Sequence, residues 1–230
     1  MRNIEISIDE HYHVYNRGAH KRVIFHDEAD YVRFLFLILF LQSPLSFDQV
    51  SRPVHRFLKQ HVKHRVFDIS EGDIAEVVRG RYVELLSFCL MPNHFHLILR
   101  EAKEGGIAHY MQRVLNGYTK YYNAKYGVSG HLFQGPYKAV HVESNDQLLY
   151  LSAYIHRNPR ELPRWKDKEK EYEWSSFRDY IGENRWSGLL STTLILEQFK
   201  TKNEYEKFVH TSAAKLSDEE RKSELFGPFD

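Results

Sequence analysis

Residues 91–99 read MPNHFHLIL, and this stretch decides the fold. Met91-Pro92-Asn93 is a turn signal between two apolar runs, Val83 to Cys89 and His94 to Arg100, so the segment predicts an antiparallel strand pair. Side chains alternate faces along a strand, which sends His94 and His96 to one side and Phe95, Leu97 and Leu99 to the other. The apolar face anchors the strand in a core; the opposite face presents two imidazoles one strand repeat apart.

Working outward, His11 to Arg17 (HYHVYNR) is aromatic and β-branched and closes on Gly18, the pattern of a short strand ending in a turn. Asp27-Glu28 precede Tyr31, Phe34, Leu35, Ile38 and Leu41, acidic charge followed by helical spacing, which predicts a helix near 28–42. Gly105-Gly106 open a longer helical pattern through Ile107, Tyr110, Met111, Val114 and Tyr118 to Gly127. Tyr137 to Val142 reads as a strand. Asn145 or Asp146 then caps a helix carrying Leu148, Leu151, Tyr154 and Ile155, which Pro159 stops near Asn158. The order predicts an α+β fold, an antiparallel sheet with packed helices. Residues 43–82 are the least regular part and carry a basic run, Arg52, Arg56, Lys59, Lys63 and Arg65, which reads as a solvated face or as a phosphate-contacting patch. Trp174 to Ile181 and Leu189 to Val209 read as small packing elements, and the last twenty residues as a polar, frayed end.

At 230 residues with 42% hydrophobic and 27% charged content, the chain has the composition of a soluble globular protein. A net charge of +1 neither demands nor excludes a nucleic-acid partner, so any basic footprint is local. Cys89 is the only cysteine, which excludes an internal disulfide and suits a reducing compartment. The N-terminus lacks the pattern of a signal peptide. The longest apolar run, Phe34 to Leu41, falls far short of the roughly 20 residues a membrane span needs. A cytoplasmic location is expected.

Two residue sets carry candidate chemistry. The first is His94 with His96, although ordinary core or polar histidines fit the bare pattern too, and His11-Tyr12-His13 repeats it. The second is Tyr154 with Asn158, four apart and so on one helical face; a core tyrosine and a helix-stopping asparagine read equally well. Taken together, two neutral imidazoles and an amide oxygen suit Mg²⁺ or Mn²⁺ with positions left open for phosphate oxygens. A free tyrosine titrates near pH 10, so a metal that polarises a phosphate would assist its attack. The long helix offers Arg113 and Lys120 interleaved with Tyr118, Tyr121 and Tyr122, a mix suited to single-stranded nucleic acid, while the same spacing suits tyrosines packed on a sheet. His13 and Asn16 belong to a strand that could run beside the histidines.

The blocks Tyr12 to Gly18 (YHVYNRG), Phe25 to Leu35, MPNHFHLIL, Met111 to Gly127, Gly130 to Gly135 (GHLFQG), Tyr154 to Pro159 (YIHRNP) and Trp174 to Gly182 (WSSFRDYIG) stand in the order seen in one family. The chain resembles the single-tyrosine HUH transposases, and within them the branch associated with repetitive extragenic palindromes. The resemblance implies a ferredoxin-like HUH fold over 1–185, with 43–82 as an insertion and 186–230 as a C-terminal extension. It implies a single-stranded DNA endonuclease and strand transferase acting at palindromic or hairpin repeats. Tyr154 would be the nucleophile, forming a 5′-phosphotyrosine, and His94, His96 and Asn158 the ligands of Mg²⁺ or Mn²⁺, with no nucleotide cofactor. Arg113, Lys120, Tyr121 and Lys138 become candidate DNA contacts, and a monomer is expected rather than a dimer. The alternative is a domesticated protein that binds hairpin DNA without cutting it. One departure is Gly135-Pro136-Tyr137, where the family places an arginine after the glycine; Lys138 is the nearest replacement.

Overall fold

The computed structural model describes residues 5–44, 51–52, 54–56 and 70–212. Four strands form one antiparallel sheet in the order β2-β3-β1-β4: β1 is His11–Arg17, β2 Val83–Met91, β3 His94–Glu101 and β4 Lys138–His141. The hairpin expected around Pro92-Asn93 is the β2–β3 connection, with Met91 opposite His94.

Apolar alternation splits the sheet into two cores. Phe95, Leu97 and Leu99 pack with Tyr12 and Val14 against α1 (Glu28–Phe40). The predicted long helix completes this layer; among the described helices it follows α2 (Glu71–Gly80) and is therefore α3, Gly106–Tyr126. The opposite face packs Cys89, Met91 and Ile98 against α4 (Asn145–Arg157) and α5 (Phe177–Ile181). After the short α6 (Thr193–Leu196), α7 (Lys202–Thr211) completes this second layer. The sequence-based α+β reading is thus observed, with helices on both faces of the sheet.

Local chemistry fixes these elements. Asp27 accepts a hydrogen bond from the Asp30 N–H at the start of α1, and Ser144 does the same for Gln147 at the start of α4. The N-terminus of α3 is held by the buried Glu101, whose two oxygens accept from the Gly106 and Ile107 N–H groups at 2.8 and 2.7 Å. Gly106 is required there, because a Cβ would stand 2.2 Å from the Tyr82 carbonyl oxygen. A bulge between Leu85 and Ser87 shifts the β2–β3 register by one residue. It turns both Leu86 and Ser87 toward α4, which places a hydroxyl under that helix.

The segment expected to be irregular contains α2, capped by Ser70. Most of its basic run, and the C-terminal end expected to fray, lie outside the described residues.

Candidate active site

β3 carries His94 and His96 on the face that meets α4. Their rings are nearly perpendicular, with centroids 5.1 Å apart. On α4, Tyr154 is buried and sets its ring edge-on to His96, centroids 5.6 Å apart. One turn later Asn158, at the first position after α4, directs its Oδ1 at His94 Nε2 across 3.4 Å. The four residues expected to form a site therefore do meet.

The hydrogen bonds around His94 constrain its protons. Asn93 Nδ2 donates to the Lys21 carbonyl at 3.2 Å, so its Oδ1 is the atom facing His94 Nδ1 at 2.7 Å. Asn158 Nδ2 likewise donates to the Tyr154 carbonyl at 3.3 Å, leaving its Oδ1 toward Nε2. A neutral imidazole has one N–H and cannot donate to both oxygens. Burial pushes the His94 ring down to about 4, against the charge of Glu161 and the Asn158 bond, so protonating both nitrogens is disfavoured at neutral pH. With Nδ1–H given to Asn93, the Nε2 lone pair and an amide oxygen face each other, a contact that a cation relieves.

That contact is the test of whether the residues fit a metal, and they do. Two ligand atoms of one octahedral Mg²⁺ stand ~3.0 Å apart, close to the separation seen here. Burial, followed by the proximity of His13, His94 and Arg17, holds His96 well below the usual imidazole range, so it too offers a lone pair. Among the described residues no group of three or more His, Cys, Asp or Glu side chains is placed to hold a metal. The third candidate donor is instead the Asn158 amide oxygen.

Other expected contacts separate by layer. Directly paired residues of an antiparallel sheet share a face. His94 pairs with Arg17, His96 with Tyr15, and Tyr15 in turn with Lys138, so Arg17, Tyr15 and Lys138 lie on the histidine face. Arg113 and Tyr121 belong to α3 on the opposite face. Arg113 donates to the Ser43 carbonyl and to the Tyr82 hydroxyl, and Tyr121 donates to Asp30 beneath the Arg33 guanidinium. Lys120 is exposed on that same helix. Asn16 also points away from the histidines and donates to the Gly135 carbonyl. His13 does lie at the site, with Nε2 2.8 Å from His96 Nδ1. Arg17, Tyr15 and Asn93 were not singled out from the sequence. The HYHVYNR alternation held the signal, but using it required the β1–β3 register.

Fold and site define an α+β protein that sets a helix-borne tyrosine against a His-x-His pair on a central strand. Residues 50–158 match the family described as transposase IS200-like, a span that contains His94, His96, Tyr154 and Asn158. The chain is similar to that family, and the resemblance read from its motifs is borne out. No curated protein matches it. A solved structure described as a REP-associated tyrosine transposase bound to a REP hairpin aligns with 83% of this chain and 90% of its own, at 11% identity and a TM-score of 0.44. Among the described residues, no helix is long and apolar enough to cross a membrane.

Proposed function

We propose that the chain is a metal-dependent endonuclease and strand transferase for single-stranded, hairpin-forming DNA. The observation that carries this reading is the convergence of Tyr154 from α4 with His96, His94 and Asn158 on one face of the sheet. A bound Mg²⁺ or Mn²⁺ supplies charge that polarises a non-bridging phosphate oxygen. His94 and His96 through Nε2, and Asn158 through Oδ1, would hold it.

The phenolic oxygen of Tyr154 attacks the scissile phosphorus and gives up its proton. The bond from phosphorus to the 3′ oxygen breaks, and that oxygen leaves with the electron pair and takes a proton. The 5′ side stays on Tyr154 as a phosphodiester. A 3′-hydroxyl from another end reverses the sequence, so strand joining needs no ATP. The helix turn between Tyr154 and Asn158 couples the nucleophile to the ligand set.

Arg17, Tyr15 and Lys138 form the row beside the histidines and suit the approaching strand: two cations for phosphates and a ring next to them. Lys120, exposed on the far layer, suits a duplex stem better than the scissile strand. With α4 packed on its own sheet, the tyrosine and histidines of one chain suffice for the site, as the monomer we propose requires.

The test is a hairpin-tailed single-stranded DNA incubated with the protein and Mn²⁺, followed by denaturing electrophoresis. An SDS-stable adduct that disappears in Tyr154→Phe, His94→Ala and His96→Ala is expected. Hairpin binding with no adduct across a range of palindromes would establish the binding-only alternative.

A further inference from the structure

β1 approaches the ligand strand closely enough to contribute a buried ring that no ligand set requires. His13 is fully buried, and its Nε2 lies 2.8 Å from His96 Nδ1. The two imidazoles are within 14° of parallel with centroids 5.1 Å apart. That separation is what two rings joined nitrogen to nitrogen at 2.8 Å in a shared plane require. The contact is therefore an in-plane hydrogen bond rather than a face-to-face stack.

A contact of this kind holds one proton, because two ring N–H groups cannot point at each other. It has two arrangements with opposite consequences. If His96 carries the proton on Nδ1 and donates it to His13, its Nε2 carries the lone pair that a cation could take. If His13 donates instead, the neutral His96 keeps its proton on Nε2 and has no lone pair to offer there.

We infer that His13 is a positioning residue that accepts the His96 Nδ1–H, fixing the tautomer and ring plane in which His96 Nε2 can hold a cation. Asn93 performs the same service for His94, through an amide oxygen 2.7 Å from Nδ1. The two ligands are thus set by different devices: a neighbour in the hairpin turn for one, a side chain from the adjacent strand for the other. A buried imidazole at position 13 costs desolvation that an isoleucine at the same place does not. Tyr15 and Tyr154 also lie against the His13 ring, with centroids at 4.8 and 6.4 Å. Outer groups of this type typically change metal affinity 10–100-fold.

This inference rests on the metal reading above, and two measurements separate them. Long-range ¹⁵N–¹H imidazole spectra of the native, metal-free chain report the His96 tautomer without any metal or DNA. The expected result is a protonated Nδ1; a proton on Nε2 overturns the inference. Mn²⁺ affinity, measured by electron paramagnetic resonance on the full chain, is expected to fall about 10–100-fold in His13→Ile. In His13→Gln, whose amide oxygen can accept the same proton, most of the affinity should return. Affinity in His13→Ile within twofold of native also overturns it. Should His13→Ile fail to fold, His13→Gln and the native tautomer still decide. A native chain that bound no Mn²⁺ would remove the metal reading, and the tautomer would still judge the role of His13.

Discussion

Replacing His156 with alanine should loosen the helix that carries Tyr154, and the structure sets the size of the effect. His156 is fully buried two residues after Tyr154, on the side of α4 turned from His94 and His96. Its Nδ1 lies 2.7 Å from the Tyr205 hydroxyl on α7, and its Nε2 lies 2.8 Å from Ser176 Oγ and 3.1 Å from Ser87 Oγ. Ser152 donates to the Leu149 carbonyl and so accepts from Tyr205. Tyr205 then accepts from His156 Nδ1–H, which leaves the one lone pair on Nε2 to accept a single serine hydroxyl. One ring thus ties α4 to β2, to Ser176 at the start of α5 and to α7. Losing two buried hydrogen bonds, each worth roughly 0.5–1.5 kcal/mol, and leaving a ring-sized cavity should cost about 3–5 kcal/mol. For a chain of this size that is a drop of about 6–20 °C in thermal midpoint. Urea unfolding followed by far-UV circular dichroism measures it. His156→Phe, which fills the space without the bonds, should recover part of the loss. A His156→Ala cost below about 1 kcal/mol would refute the reasoning, since it would mean the network contributes nothing net.

Burial pushes His156 down to about 3, below its unfolded value near 6.5. Its contribution is therefore complete above pH ~6.5 and is lost as pH falls toward 3, because the unfolded state takes up the proton first. His156→Phe should flatten the acid side of the stability profile by up to about 1.4 kcal/mol per pH unit in urea titrations across that window. Gly106→Ala should destabilise by about 1–3 kcal/mol, as its Cβ meets the Tyr82 carbonyl; a thermal midpoint equal to native would contradict the close approach. Arg17→Ala with Lys138→Glu should weaken single-stranded DNA binding and reduce its salt dependence by about two phosphate contacts, read by fluorescence anisotropy across salt concentrations. Arg113→Ala should instead lower stability with an unchanged salt slope, because its guanidinium is spent on Ser43 and Tyr82.

Much of this arrangement was legible in the sequence because it depends on short-range pattern. MPNHFHLIL contains its own turn and its own alternation, so the hairpin and the facing of His94 against Phe95 follow without any partner. Tyr154 and Asn158 are one helical turn apart, which needs only the helix. That the strand and the helix meet is a tertiary fact, and it was reached through the family resemblance rather than through spacing. Arg113 and Tyr121, expected as DNA contacts, show what local reading cannot decide. Cations interleaved with rings describe a strand-binding face and equally a helix whose tyrosines seal a core. Only packing distinguishes them, and α3 packs away from the histidines.

The residues that local reading passed over share one property: each acquires its role from strand register. In His11 to Arg17 every second side chain faces α4, but which atoms they meet depends on how β1 slides along β3. The observed pairing, Tyr15 with His96 and Arg17 with His94, brings a ring and a cation alongside the two histidines and leaves His13 diagonal to His96. A one-residue slip would exchange the faces, sending His13, Tyr15 and Arg17 toward α1 and α3 and bringing Tyr12, Val14 and Asn16 to His94 and His96. Tyr12 and Val14 oppose that slip, because both are buried in the core beneath α1 and α3 and would lose that burial. The same apolar residues that stabilise the sheet therefore determine which polar side chains stand beside His94 and His96. Packing on one face of β1 sets the chemistry available on the other.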